Sequence, residues 1–191
     1  MIVPERPSPS HGTAAPALWH GGGVHDPVRD GRDRDPAGRA RNARPRDEAG
    51  RPLPRGAVGV ERVPDDLVLG PEETVIEAQR LLDAGMPFHA HEVLEAAWKA
   101  AEPGARELWR GLAQVAVGLT HLQRGNARGA VALLHRGAEN VSRWRVGWLG
   151  PVPAGLAVDD LVRHAEALAA RVERDGPAAA TPDDLRPRLR P

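Results

Sequence analysis

Residues 108–122, LWRGLAQVAVGLTHL, are apolar on almost every side of a helix, interrupted by Arg110, Gln114 and His121. A helix of that kind cannot leave one face in water, so other elements must cover most of its circumference. It falls short of the roughly 18 apolar residues needed to cross a bilayer. The stretch therefore predicts the central helix of a water-exposed helical bundle and constrains the rest of the chain to supply its cover.

The flanking segments have helical spacing. PEETVIEAQRLLDAG offers Pro71 at a first helical position, acidic residues in the first turn, apolar Val75, Ile76, Ala78, Leu81 and Leu82, and Gly85 as a stop. Pro87 opens a second helix running to about Ala101, which Glu102, Pro103 and Gly104 end. The central helix is expected from about Ala105 to Arg124. Gly125 closes it and Asn126 caps a fourth, in which Gly129, Ala130 and Gly137 permit close approach. After the loop WRVGWLGPVPAG, Asp159 or Asp160 starts a fifth helix with Leu161, Ala165, Leu168 and Val172 on one face. No segment alternates with period two. The expectation is all-α, a compact bundle of about five helices built from antiparallel hairpins over residues 58–175.

The ends differ from this middle. Residues 1–57 are rich in Arg, Gly, Pro and Asp with few spaced apolar side chains, which predicts a disordered arm. A flexible tail is expected over 176–191. Residues 29–56 hold nine Arg against five Asp or Glu, so the arm could touch a phosphate backbone weakly, although Lys plus Arg and Asp plus Glu balance at 26 each over the chain. Nucleic acid is thus disfavoured as the main partner, and no apolar run suits a membrane. The lack of cysteine excludes disulfides, thiolate ligands and a cysteine nucleophile. A cytoplasmic setting is the expectation.

Chemistry concentrates in FHAHEVLEAAW, residues 88–98. At 100° per residue, Phe88, His91, Leu94, Glu95 and Trp98 share one side of the helix, so His91 and Glu95 are expected to face the bundle, Glu92 its border and His89 water. A carboxylate facing a core needs donors. Gln114 and His121 lie on one stripe of the central helix, with Arg110 a turn before Gln114, and could supply them.

HEVLEAAW, followed by RELWRGLAQVAVGLTHLQRGNARGA, resembles the small all-helical bacterial and archaeal family catalogued as domain of unknown function 309, marked by a His, a Glu four later, a Trp or Tyr three after that, and an apolar helix ending in a GN turn and a GA pair. Here those are His91, Glu95, Trp98, Gly111 to Gln114, Gly125, Asn126, Gly129 and Ala130. The resemblance spans roughly residues 70–172, and longer members carry a leader similar to RDRDPAGRARNARPRD. It implies a helical bundle with a suspected metal or active site at the His and Glu, and no assigned reaction.

Three readings of the cluster stay open. His91 and Glu95, one turn apart, could share zinc or iron with His121 or Glu92 as third ligand, and Glu92 or Glu95 could then activate water for hydrolysis. Alternatively, His91, Glu95 and Gln114 close a structural polar network. The third reading is a polar ligand pocket. A non-enzymatic module offering the rim around Trp144 to Trp148 to a protein partner or a second copy is the competing function.

Overall fold

The computed structural model describes residues 44–61, 63–64 and 68–191. Five helices follow one another: α1 (Pro71–Asp83), α2 (Pro87–Ala100), α3 (Pro103–Gln123), α4 (Ala127–Gly147) and α5 (Val158–Asp175). Among the described residues there are isolated β-bridges but no strand, as the sequence predicts. Proline opens α1, α2 and α3, where its missing N–H costs nothing and its fixed φ suits the first turn. Asn126 caps α4, its side chain accepting from the Gly129 N–H at 2.9 Å. Two details differ from expectation. α4 carries on through Trp144 to Gly147, since nothing before the Gly-Pro run breaks it, and Ala157 rather than an aspartate stands before α5, with Asp159 and Asp160 in its first turn.

Each helix packs on its neighbours in the chain, with α3 between α2 and α4 and α5 against α4. Leu108, Trp109, Leu112, Val115, Ala116, Leu119 and Leu122 of α3 are all buried. At roughly 1.5–3 kcal/mol for each large side chain, they are the largest source of cohesion that one element supplies. The closest approach is between α3 and α4. A Cβ on Gly111 would lie 2.6 Å from Val141 Cγ2 and 2.9 Å from the Gly137 carbonyl oxygen; one on Gly118 would lie 2.9 Å from Leu134 Cγ. Glycine at these places lets the backbones touch, and the pairings 111 with 137–141 and 118 with 134 fix the two helices as antiparallel.

Both ends of the chain hold more structure than their composition suggests. The expectation of an unstructured arm falls outside the described residues up to 43. From Arg44 the chain turns on itself, with the Val60 N–H donating to the Arg46 carbonyl at 2.8 Å and the Leu53 N–H to that of Pro45 at 2.8 Å. Ala49 and Gly50 are buried. Gly50 takes φ +72°, and a Cβ there would lie within 2.5 Å of the Phe88 ring, so the leader backbone lies flat on that aromatic face. At the other end, the 176–191 segment expected to be a flexible tail is docked. Leu189 is buried, its N–H donates to Gln79 Oε1 at 2.7 Å and its carbonyl accepts from the Ala157 N–H at 2.8 Å. Buried Leu189, with its backbone bonded to Gln79 and Ala157, and Asp184, paired with Arg171, anchor a stretch that shows no helical period.

Gly111→Ala is expected to cost about 1–3 kcal/mol, because the Cβ meets backbone as well as side chain. Gly147→Ala, where a Cβ meets nothing within 4 Å, should be neutral or slightly stabilising. Urea melts of the two variants against the parent chain measure the contrast.

Candidate functional site

The HxxxExxW stripe sits on α2 at the margin of the core rather than inside it. The buried face of α2 is Pro87, His89, Ala90, Val93 and Leu94, while Phe88, His91, Glu95 and Trp98 are half-buried beside it. His89, expected in water, is thus the buried histidine, at 1% exposure against 23% for the His91 side chain. The leader makes the difference. His89 Nε2 donates to the Asp47 carbonyl at 3.2 Å, and its Nδ1 lies 3.3 Å from Glu92 Oε2, in ion-pair range. A carbonyl only accepts, so the Nε2 proton is fixed by this contact.

His91 Nε2 lies 3.6 Å from Glu95 Oε2, and Glu95 Oε1 lies 3.0 Å from Lys99 Nζ. Burial holds the His91 imidazole below its ordinary pKa, against the opposing pull of Glu95, Glu92 and the Ala113 backbone. His91 Nδ1 and Trp98 Nε1 are buried without a hydrogen-bond partner among the described residues. Arg106 stands over the Trp98 ring at 5.8 Å. His91 opposite Ala113 and Trp98 opposite Arg106 set the antiparallel register of α2 and α3.

That register separates the residues that the sequence groups together. His121 is eight residues beyond Ala113 on α3, about 12 Å farther along the axis. There it serves the α3–α4 turn. Because Asn126 Oδ1 already accepts from Gly129, its Nδ2 is the donor to His121 Nδ1 at 2.7 Å. Gln114 turns to the other neighbour, its Oε1 accepting from Asn140 Nδ2 of α4 at 2.7 Å. The expected closed network of His91, Glu95 and Gln114 therefore does not form, because buried Asn140 is the nearer polar group in need of a partner. Arg110 is exposed and lies 3.4 Å from Glu107. Among the described residues no three His, Asp or Glu side chains gather as metal ligands, so the expected set of His91 and Glu95 with His121 or Glu92 is not assembled.

Two roles escape a reading of the sequence. Arg46 and Arg124 stack on the Phe88 ring at 4.8 and 5.3 Å to its centre. His164 donates from Nε2 to the Asp184 carbonyl at 2.9 Å and holds the C-terminal segment. The residue pattern carried a signal only for the first, in the Arg content of the leader.

Residues 75–133 match the family model described as Domain of unknown function (DUF309). The DUF309 match runs from Val75 in α1 into α4 and contains the whole HxxxExxW stripe, the α3 core and the Asn126 turn. No curated protein and no solved structure matches the chain.

His89→Ala should cost about 2–4 kcal/mol, since it opens a buried space and frees the leader, whereas His91→Ala should cost under about 1 kcal/mol; denaturant melts check both. A depressed His91 pKa also has a defined pH signature. The unfolded chain takes up the proton first, so this contribution to stability is complete above the ordinary histidine value near 6.5 and is lost as the pH falls from there towards the folded-state pKa. His91→Gln should flatten the fall of stability in that window.

Proposed function

We propose that the domain works as a helical interaction module, and that its partner is a second copy of the chain docked at the end of α4. The observation that supports this reading is the apolar surface there: Val146 and Leu149 are 87% and 101% exposed and flank Trp148. Trp148 stacks on buried Trp144 at 5.3 Å between ring centres, and both indoles are fixed, Trp144 Nε1 donating to the Gly104 carbonyl at 2.8 Å and Trp148 Nε1 to that of Pro151 at 2.9 Å. Rigid aromatic anchors with apolar neighbours are what interface centres use, since little side-chain entropy is left to lose on docking. The zero formal net charge leaves no bulk repulsion between copies. On this reading the His and Glu groups of α2 organise the fold: His89 holds the leader, and the His91–Glu95 pair borders the helix that it packs on.

Sedimentation velocity over a range of concentrations tests this. The parent chain should associate as concentration rises, and Leu149→Asp with Val146→Asp, both at exposed positions, should sediment as a folded monomer. A parent chain that stays monomeric throughout would remove the reading. The competing metal chemistry predicts a saturable rise in melting temperature with zinc or iron, because a ligand that binds only the native state must stabilise it. A two-ligand pair should give no such rise.

A further inference from the structure

Near its C-terminus the chain runs along α1 with burial that alternates. Pro187 and Leu189 are buried while Arg186 and Arg188 are exposed, the period of a strand laid on a surface. Main chain is held as firmly as side chain. Gln79 of α1 reads two positions with one amide, its Nε2 donating to the Pro187 carbonyl at 3.3 Å and its Oε1 accepting from the Leu189 N–H at 2.7 Å. Asp83, one turn on, accepts from the same Nε2 at 2.8 Å and so sets which way the amide faces. The Ala157 N–H, just before α5, donates to the Leu189 carbonyl at 2.8 Å, and Arg190 Nη2 lies 3.3 Å from Glu72 Oε1.

We propose that this groove is a docking site for an extended segment of a partner protein with the pattern Pro-x-Leu-Arg, and that the chain's own C-terminal segment occupies it in cis as a displaceable stand-in. A surface that bonds main chain and buries alternate side chains accepts a segment by its pattern, as in recognition by strand addition. Three features select the pattern. Leu189 is 2% exposed, so its position admits an apolar side chain and rejects a charge. The position of Pro187 uses only a carbonyl, which proline keeps, and proline's fixed φ suits an extended chain. Glu72 offers a carboxylate to the cation after the leucine. The Arg190 and Glu72 side chains are 41% and 67% exposed, so water screens that pair and the segment's last residues are held mainly at Leu189. The resident segment has the advantage of its tether, because Arg171 and His164 hold Asp184 and keep Leu189 close to the groove.

Fluorescence anisotropy with a dye-tagged synthetic peptide of residues 181–191, TPDDLRPRLRP, tests the groove. Saturable binding is expected to the full chain carrying Leu189→Asp, whose own segment no longer seats, and binding at least about tenfold weaker to the parent, whose tethered segment competes. Adding Gln79→Ala to Leu189→Asp should weaken binding about tenfold, since both main-chain contacts of the amide are lost. A peptide that itself carries Leu189→Asp should not bind. Leu189→Ala vacates the position without burying a charge and takes the place of Leu189→Asp if that variant does not fold. No saturable binding to the vacated chain, or equal affinity for the vacated chain and the parent, would overturn the proposal. So would association in sedimentation that Leu189→Asp abolishes and Leu149→Asp with Val146→Asp leaves intact, since that assigns the groove to the C-terminal segment of a second copy.

Discussion

The contact of α3 with α4 through glycine is the constraint on which the rest of the bundle depends. With Gly111, Gly118 and Gly137 at the crossing, the two backbones approach until a single methyl group would collide. That intimacy covers one side of an apolar helix with main chain and small side chains, leaving the opposite side for α2 and the remaining sector for the rest of the core. The buried Asn140 is a cost of such closeness, since a polar group there has little access to water. Gln114 meets it across the same interface.

The fate of the polar residues follows from that pairing. The Gln114 side chain is engaged by Asn140 of α4, and the antiparallel register carries His121 well beyond His91, so neither joins the pair on α2. The His91–Glu95 pair is left at a half-buried margin where Lys99 also reaches Glu95. Pairs in such positions contribute little to stability because water screens them and side-chain entropy opposes them. A margin of this kind is tolerant of charge, which explains how α2 accommodates His91, Glu92, Glu95 and Lys99 within nine residues without a core network.

Helix order, the central position of α3 and the turn at Asn126 were legible in the sequence, because proline, glycine and the 3.6-residue period act locally. Contacts between stretches distant in sequence were not. His89 was placed in water because helical geometry alone sets it opposite His91, and its partner is the carbonyl of Asp47, in a leader whose composition resembles that of a solvated segment. The same holds for Leu189, one apolar side chain in an Arg- and Pro-rich tail. Segments without periodicity can still dock when a few backbone bonds and one buried side chain find complementary groups on a finished bundle, and composition averages over those few residues.

The leader and α2 are thus mutually dependent in a way that helical patterning does not describe. Phe88 is shielded by the Gly50 backbone and by Arg46 and Arg124, so an aromatic ring at the end of a helix is covered by cations and main chain rather than by aliphatic side chains. Each of those arginines also holds a carbonyl of the leader, Gly50 for Arg46 and Ala49 for Arg124. Detaching the leader would expose the ring, strand the His89 imidazole and leave Arg124 without its acceptor, so these contacts should be lost together. Cooperativity of this kind makes residues 44–60 part of the folded domain, and it places Arg46 and Arg51 where their charge bears on Arg124 at the α3–α4 turn.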